Sequence, residues 1–248
     1  MKNKITTTII IILLILLKIY LISVQPIKYI PENKYDDALM LKQANSILQG
    51  KWLGEYNSLT IVKGPITPIF IAILNKLHIP FLIGQELLYD VSCLFVIYTF
   101  SKTIKNKKIL YIIFAILLFN PVTFSTEICR VYRDGIYTSL TMLLIGFSYS
   151  IFLITGELES LKQSLFEKDD DKADKEISKI DNKWKEVYDK LAYYIEHDEL
   201  EKVESNFTAC KSLAKTREYE QSISELEKTV YVLEHITDKH SFNLVNIF

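Results

Sequence analysis

The chain opens with an apolar run from Ile5 to Val24, broken only by Lys18. About 20 residues of helix cross the hydrocarbon core of a bilayer, so this pattern predicts a first membrane span. Apolar runs at 82–101, 109–126 and 135–155 predict three more, the last without a charged residue. Asn120-Pro121 lies inside the third and should kink it or end it early, because proline removes a backbone donor and clashes with the preceding turn. The apolar run from Pro65 to Leu74 would rise only about 15 Å as a helix, half the hydrocarbon thickness, and reads as interfacial or re-entrant. Between Tyr35 and Gly50 the positions Ala38, Leu41, Ile47 and Leu48 approximate helical spacing. That segment is expected on the membrane surface, with Trp52 and Tyr56 at headgroup level.

After Gly156 the period changes. Apolar positions step by three and four through Ile177, Ile180, Trp184, Val187, Leu191 and Tyr194, through Leu200, Val203, Phe207, Cys210 and Ala214, and through Ile223, Leu226, Val230 and Leu233. This is the pattern of helices packed on one another. Breaks near His197-Asp198 and Thr216-Arg217 predict antiparallel helices of about 20 residues joined by short turns. Asp169-Asp170-Asp171 should cap the helix that follows it, while Leu158, Leu161 and Leu165 should continue the last span as a helical stalk. The expected fold class is all-α: multi-span membrane helices over 1–155, then an antiparallel helical bundle with coiled-coil-like packing over 156–248.

Composition sharpens the division. All seven Gly and all six Pro lie at or before residue 156. The first part carries 15 Lys and Arg against 8 Asp and Glu, the second 14 against 22, so opposite charges of +7 and −8 cancel to −1. The basic start Met1-Lys2-Asn3-Lys4 keeps its own end cytoplasmic, and the poor cleavage context after Leu21 makes the first span an anchor. With four spans, the loop holding Lys102, Lys105, Lys107 and Lys108 also faces the cytoplasm. Loop 25–81 and the turn 127–134 then lie outside, and the acidic part inside. The expected location is the cell membrane, multi-pass, with membrane lipids as surroundings; the acidic balance argues against nucleic acid. An Ile, Lys and Asn bias resembles that of AT-rich bacterial genomes.

Candidate chemistry is sparse. Cys93, Cys129 and Cys210 are odd in number and lack CxxC spacing, and His197 and His235 stand near helix ends, so no metal site and no cofactor is expected. No phosphate loop, dinucleotide fingerprint or serine elbow occurs in the sequence. Asp36 and Asp37 open the amphipathic segment. They either cap a helix or hold a carboxylate beside the bilayer to deprotonate an acceptor or bind a divalent ion. Arg130 and Arg133 are either interfacial anchors or phosphate ligands. Glu86 and Asp90, four apart, share one helix face in the second span.

Two resemblances rest on these residues. A basic start, a span, an outer loop with Tyr35-Asp36-Asp37 and an amphipathic helix, then Lys63-Gly64-Pro65-Ile66-Thr67-Pro68 and a span ending in lysines together resemble the amino-terminal part of GT-C fold membrane glycosyltransferases, over residues 1–153. The resemblance implies sugar transfer from a polyprenyl-phosphate donor, with Asp36 or Asp37 as the catalytic carboxylate and Arg130, Arg133 and Asp134 at the donor phosphate. Such enzymes have several more spans to close the donor groove. Residues 157–248 resemble the bacterial domain of unknown function family 4363, through Trp184, Glu196-His197-Asp198-Glu199, Glu234-His235-Ile236 and Asn243-Leu244-Val245-Asn246-Ile247-Phe248. Members of that family carry one anchor with the helices outside, opposite to the orientation expected from four spans. The expected function is a bacterial multi-pass membrane protein with a helical interaction domain, its membrane half an incomplete relative of the lipid-dependent glycosyltransferases. The alternatives are an active glycosyltransferase subunit completed by another membrane protein, and a gene fusion without joint function.

Overall fold

The computed structural model describes residues 2–29, 37–55, 64–192 and 195–240, without the side chains of residues 2–7 and 240. The fold is all-α. Its helices are α1 (Lys2–Ser23), α2 (Asp37–Leu48), α3 (Ile66–Lys76), α4 (Phe81–Phe100), α5 (Lys107–Leu118), α6 (Asp134–Phe166), α7 (Asp170–Leu191), α8 (His197–Lys215) and α9 (Tyr219–His240). The chain divides into two compact units, Met1–Gly146 and Phe147–Phe248, and the division falls inside α6.

Among the described residues, three stretches are long and apolar enough to cross a membrane: α4, α5 with its following turn (Lys107–Phe124), and α6. Thr8–Ser23 of α1, and α3, are shorter apolar helices. α5 stops at Leu118, where Asn120 accepts a hydrogen bond from the Val122 amide and starts a 3-10 turn, Pro121–Phe124. The proline cannot donate into the helix it would otherwise prolong.

In the first unit, Tyr89, Cys93, Phe114 and Leu118 form a buried core where α4 meets α5, with Ile11, Leu14 and Ile15 of α1 packed against it. The Tyr89 hydroxyl donates to the Leu117 carbonyl at 2.8 Å, so this aromatic is buried without an idle polar atom. A second core joins Ile22, Leu82 and Cys129. α3 seats on α4 where Leu74 meets Gly84: a Cβ on that glycine would come within 2.5 Å of the leucine methyls.

α2 forms where expected. Asp37, Met40, Gln43 and Ala44 are buried, whereas Leu41, Leu48 and Trp52 are exposed. These exposed apolar residues suit contact with lipid. Tyr35, Asp36 and Tyr56 lie outside the described residues.

The second unit is a bundle of the carboxyl half of α6 with α7, α8 and α9. Leu158, Leu161 and Leu165 are fully buried, so this half of α6 belongs to the bundle core and corrects the expectation of a stalk. Hydrogen bonds from Ser160 and Ser164 to Glu176, and ion pairs of Glu157 with Lys179 and Lys183, set α7 antiparallel to α6. Lys211 pairs with Asp181 and ties α8 to α7. The core continues through Ile177, Ile180, Trp184, Leu191, Leu200, Val203, Phe207, Cys210, Leu226, Leu233 and Ile236. In α9 the buried face runs through Ser222, Leu226, Thr229 and Leu233, and the expected positions Ile223 and Val230 are half-buried beside it. Ser222 and Thr229 tolerate burial because their hydroxyls donate to the Cys210 and Glu225 carbonyls.

Turns match their residues. The Asp169 side chain caps α7 by accepting from the Lys172 amide at 3.0 Å. Lys168 and Arg217 take left-handed backbone angles at the α6–α7 and α8–α9 turns, φ +58° and +61°.

Candidate functional site

The expected site residues fall on two segments of the first unit. One is the start of α2. The other is the turn between Phe124 and α6, which is drawn back along the end of α1: the Lys28 amide donates to the Cys129 carbonyl at 3.0 Å and the Val131 amide to the Lys28 carbonyl at 3.2 Å. Lys28 and Arg130 thus form an isolated parallel bridge. Lys28 Nζ donates to Thr126 Oγ1 and Gln85 Nε2 to the Ile128 carbonyl. Gln85 reaches this turn because Gly135 presents no Cβ; one would overlap the Gln85 amide at 2.0–2.3 Å. Burial pushes the Cys129 thiol up from its ordinary value.

This framework brings Arg130 onto Asp37. Arg130 Nε donates to both carboxylate oxygens at 2.9 and 3.0 Å, and Nη2 donates to Oδ1. Asp37 is 0% exposed. The carboxylate is thus gripped on both oxygens by a guanidinium fork and shut off from solvent.

Arg133 and Asp134 do not join this pair in the geometry described. The Arg133 guanidinium stacks near the rings of Tyr132 and Tyr137, centred 5.3 and 5.5 Å away, and Asp134 is the first residue of α6. A carboxylate there favours the amino end of the helix dipole. Arg130, Arg133 and Asp134 thus have separate partners: Asp37, the rings of Tyr132 and Tyr137, and the amino end of α6. Asp36, the other candidate carboxylate, lies outside the described residues.

A second polar group was only half legible. Glu86 and Asp90 do share a face of α4, and the structure adds Lys18 of α1 to them: its Nζ lies 3.9 Å from Glu86 Oε1, donates to Thr123 Oγ1 and sits 3.7 Å from the centre of the Phe124 ring. The signal in the sequence was the interruption of the first apolar run by a single lysine. Long-range packing of α1 on α4 gives it a meaning that local pattern does not carry.

A cavity of about 10 Å³ lies among Ile154, Leu158, Trp184 and Phe207, room for roughly one water. His235 Nε2 lies 3.9 Å from Glu199 Oε1, and Lys239 reaches Glu196 and Glu199 at 3.1 Å. Among the described residues no three His, Cys, Asp or Glu side chains gather as a metal site would require.

No curated protein and no solved structure matches the chain. Residues 148–247 match the family model described as "Domain of unknown function (DUF4363)", so the similarity covers the second unit and begins within α6, ahead of the composition break at Gly156.

Proposed function

We propose that the chain is a bacterial multi-pass membrane protein whose helical second unit is an interaction module, and whose membrane unit is an incomplete relative of the lipid-dependent glycosyltransferases. In this reading α1, α4, α5 and α6 cross the cell membrane, and the lysine loop 102–108 and the bundle face the cytoplasm. The observation that carries it is the state of Asp37: buried completely and held on both oxygens by Arg130, it acts as a structural partner and not as a base. The bundle supports it from the other side, with a core closed by aliphatic packing and charged outer faces suited to a protein partner. The partner is another membrane protein.

The test is sugar transfer by the purified full chain in lipid nanodiscs, offered polyprenyl-phosphate sugars. The expected result is background turnover for the parent chain and for Asp37→Asn alike, together with a discrete crosslink to a membrane protein from a photoreactive residue placed at Tyr231, which is 70% exposed on α9. Transfer by the parent chain that Asp37→Asn abolishes with the fold intact would contradict the reading and favour an active glycosyltransferase subunit.

A further inference from the structure

Three ionisable side chains meet inside the first unit, where α1, α4 and the 3-10 turn pack together. Lys18 is 0% exposed, Asp90 2% and Glu86 5%. Lys18 Nζ approaches Glu86 Oε1 at ion-pair distance but too far for a hydrogen bond, and its donated bond goes to Thr123. Both oxygens of Asp90, and Oε1 of Glu86, are buried with no hydrogen-bond partner. Asp90 and Glu86, one turn apart on α4, stand as each other's electrostatic neighbours, with Lys18 facing both.

The charges here do not cancel. One ammonium faces two carboxyl groups, and among the described residues the other groups that face the three are neutral: Cys93 on α4, Thr123 and Phe124 in the turn, and Cys129 beyond it. An unpaired anion in an apolar interior costs several kcal/mol, so the cluster needs one further positive charge. Two carboxylates are acceptors only and cannot bond to each other; with one proton between them the same pair makes a short, charge-assisted hydrogen bond. That proton also engages one of the two otherwise idle oxygens of Asp90.

We propose that the membrane unit contains a proton-binding site, in which Asp90 and Glu86 share one proton opposite Lys18. Asp90 lies about 13 Å and Glu86 about 8 Å along α4 from its amino end, within a candidate span. The site couples protonation to the seating of α1, because withdrawal of Lys18 leaves two acids that must take up a second proton. This goes beyond the interaction-module reading and stands whether or not the chain transfers sugar.

The test is infrared spectroscopy of the full chain in lipid nanodiscs at neutral pH, reading the carbonyl band of a protonated carboxylic acid and its shift in heavy water. The parent chain should show the band. Asp90→Asn and Glu86→Gln should each remove it, since one carboxylate then pairs with Lys18 and no proton is needed; if one variant fails to fold by circular dichroism, the other decides. Lys18→Met should enlarge the band about twofold, one proton per acid. A parent chain without the band overturns the proposal, and sodium-dependent melting in that case would assign the missing charge to a monovalent cation. A band unchanged in both carboxyl variants overturns it too.

Discussion

Ser222 donates to the Cys210 carbonyl at 2.9 Å and lies 3.3 Å from its sulfur, which places the beginning of α9 against the end of α8. At the opposite end Lys239 reaches Glu196 and Glu199, so the two helices run antiparallel along their full length. The same residues set the response to alkali. Burial raises the Cys210 thiol, the hydrogen bond to Asp170 raises Tyr219, and the bonds to Glu199 and Glu196 raise Lys239. Each group holds its proton more tightly folded than unfolded. Their contribution is therefore complete below the ordinary thiol value of 9.0 and is lost as pH climbs through 9.0, 10.0 and 10.5 and beyond. Urea midpoints of a fragment covering residues 147–248 should be flat near neutrality and fall above about pH 9; a rise there would show that these protons are not held by the fold.

Trp184 packs edge-on to Tyr188, ring centres 5.7 Å apart, inside the bundle. Trp184→Ala should cost about 3–5 kcal/mol by denaturant unfolding. Trp184→Phe should cost less, because the indole Nε1 has no hydrogen-bond partner to lose. An unchanged midpoint for the alanine variant would place the ring on the surface.

A fragment beginning after Phe166 should lose cooperative unfolding, because Leu158, Leu161 and Leu165 fill the bundle core from α6. The fragment from residue 147 should keep it in mild detergent. Equal cooperativity of both would return α6 to the status of a stalk.

All three native cysteines are buried and free, so membrane-sidedness must be read from introduced ones. Glu127, Lys105 and Lys202 are exposed. With four spans, an impermeant maleimide on intact cells should label Glu127→Cys and leave Lys105→Cys and Lys202→Cys untouched until the membrane is opened. The reverse pattern would show that α3 crosses and that the bundle lies outside.

The helices and most of their ends were legible because periodicity, Asn120-Pro121 and Asp169 act locally. What was not legible depends on the rotation of helices about their axes. On α2 the stripe through Leu41 and Leu48 was legible and is exposed, whereas the burial of Asp37 and Gln43 on the opposite side was not. In α9 a shift of one position puts Ser222 and Thr229 in the core in place of Ile223 and Val230, because carbonyls nearby accept their hydroxyls. At the candidate site the partners lie far along the chain: Arg130 is 93 residues from Asp37, and Thr123 is 105 residues from Lys18.

The central claim, that Asp37 serves structure and not chemistry, is tested most directly by exchanging the two charges. Asp37→Asn and Arg130→Met should each lower the stability of the membrane unit by about 3–5 kcal/mol, since each strands a buried charge or its partner. The double variant Asp37→Arg with Arg130→Asp should recover most of the loss in the thermal melting of the nanodisc-embedded chain. Melting points unmoved by the single variants, with no recovery to be seen in the exchange, would contradict the account and free Asp37 for a catalytic role.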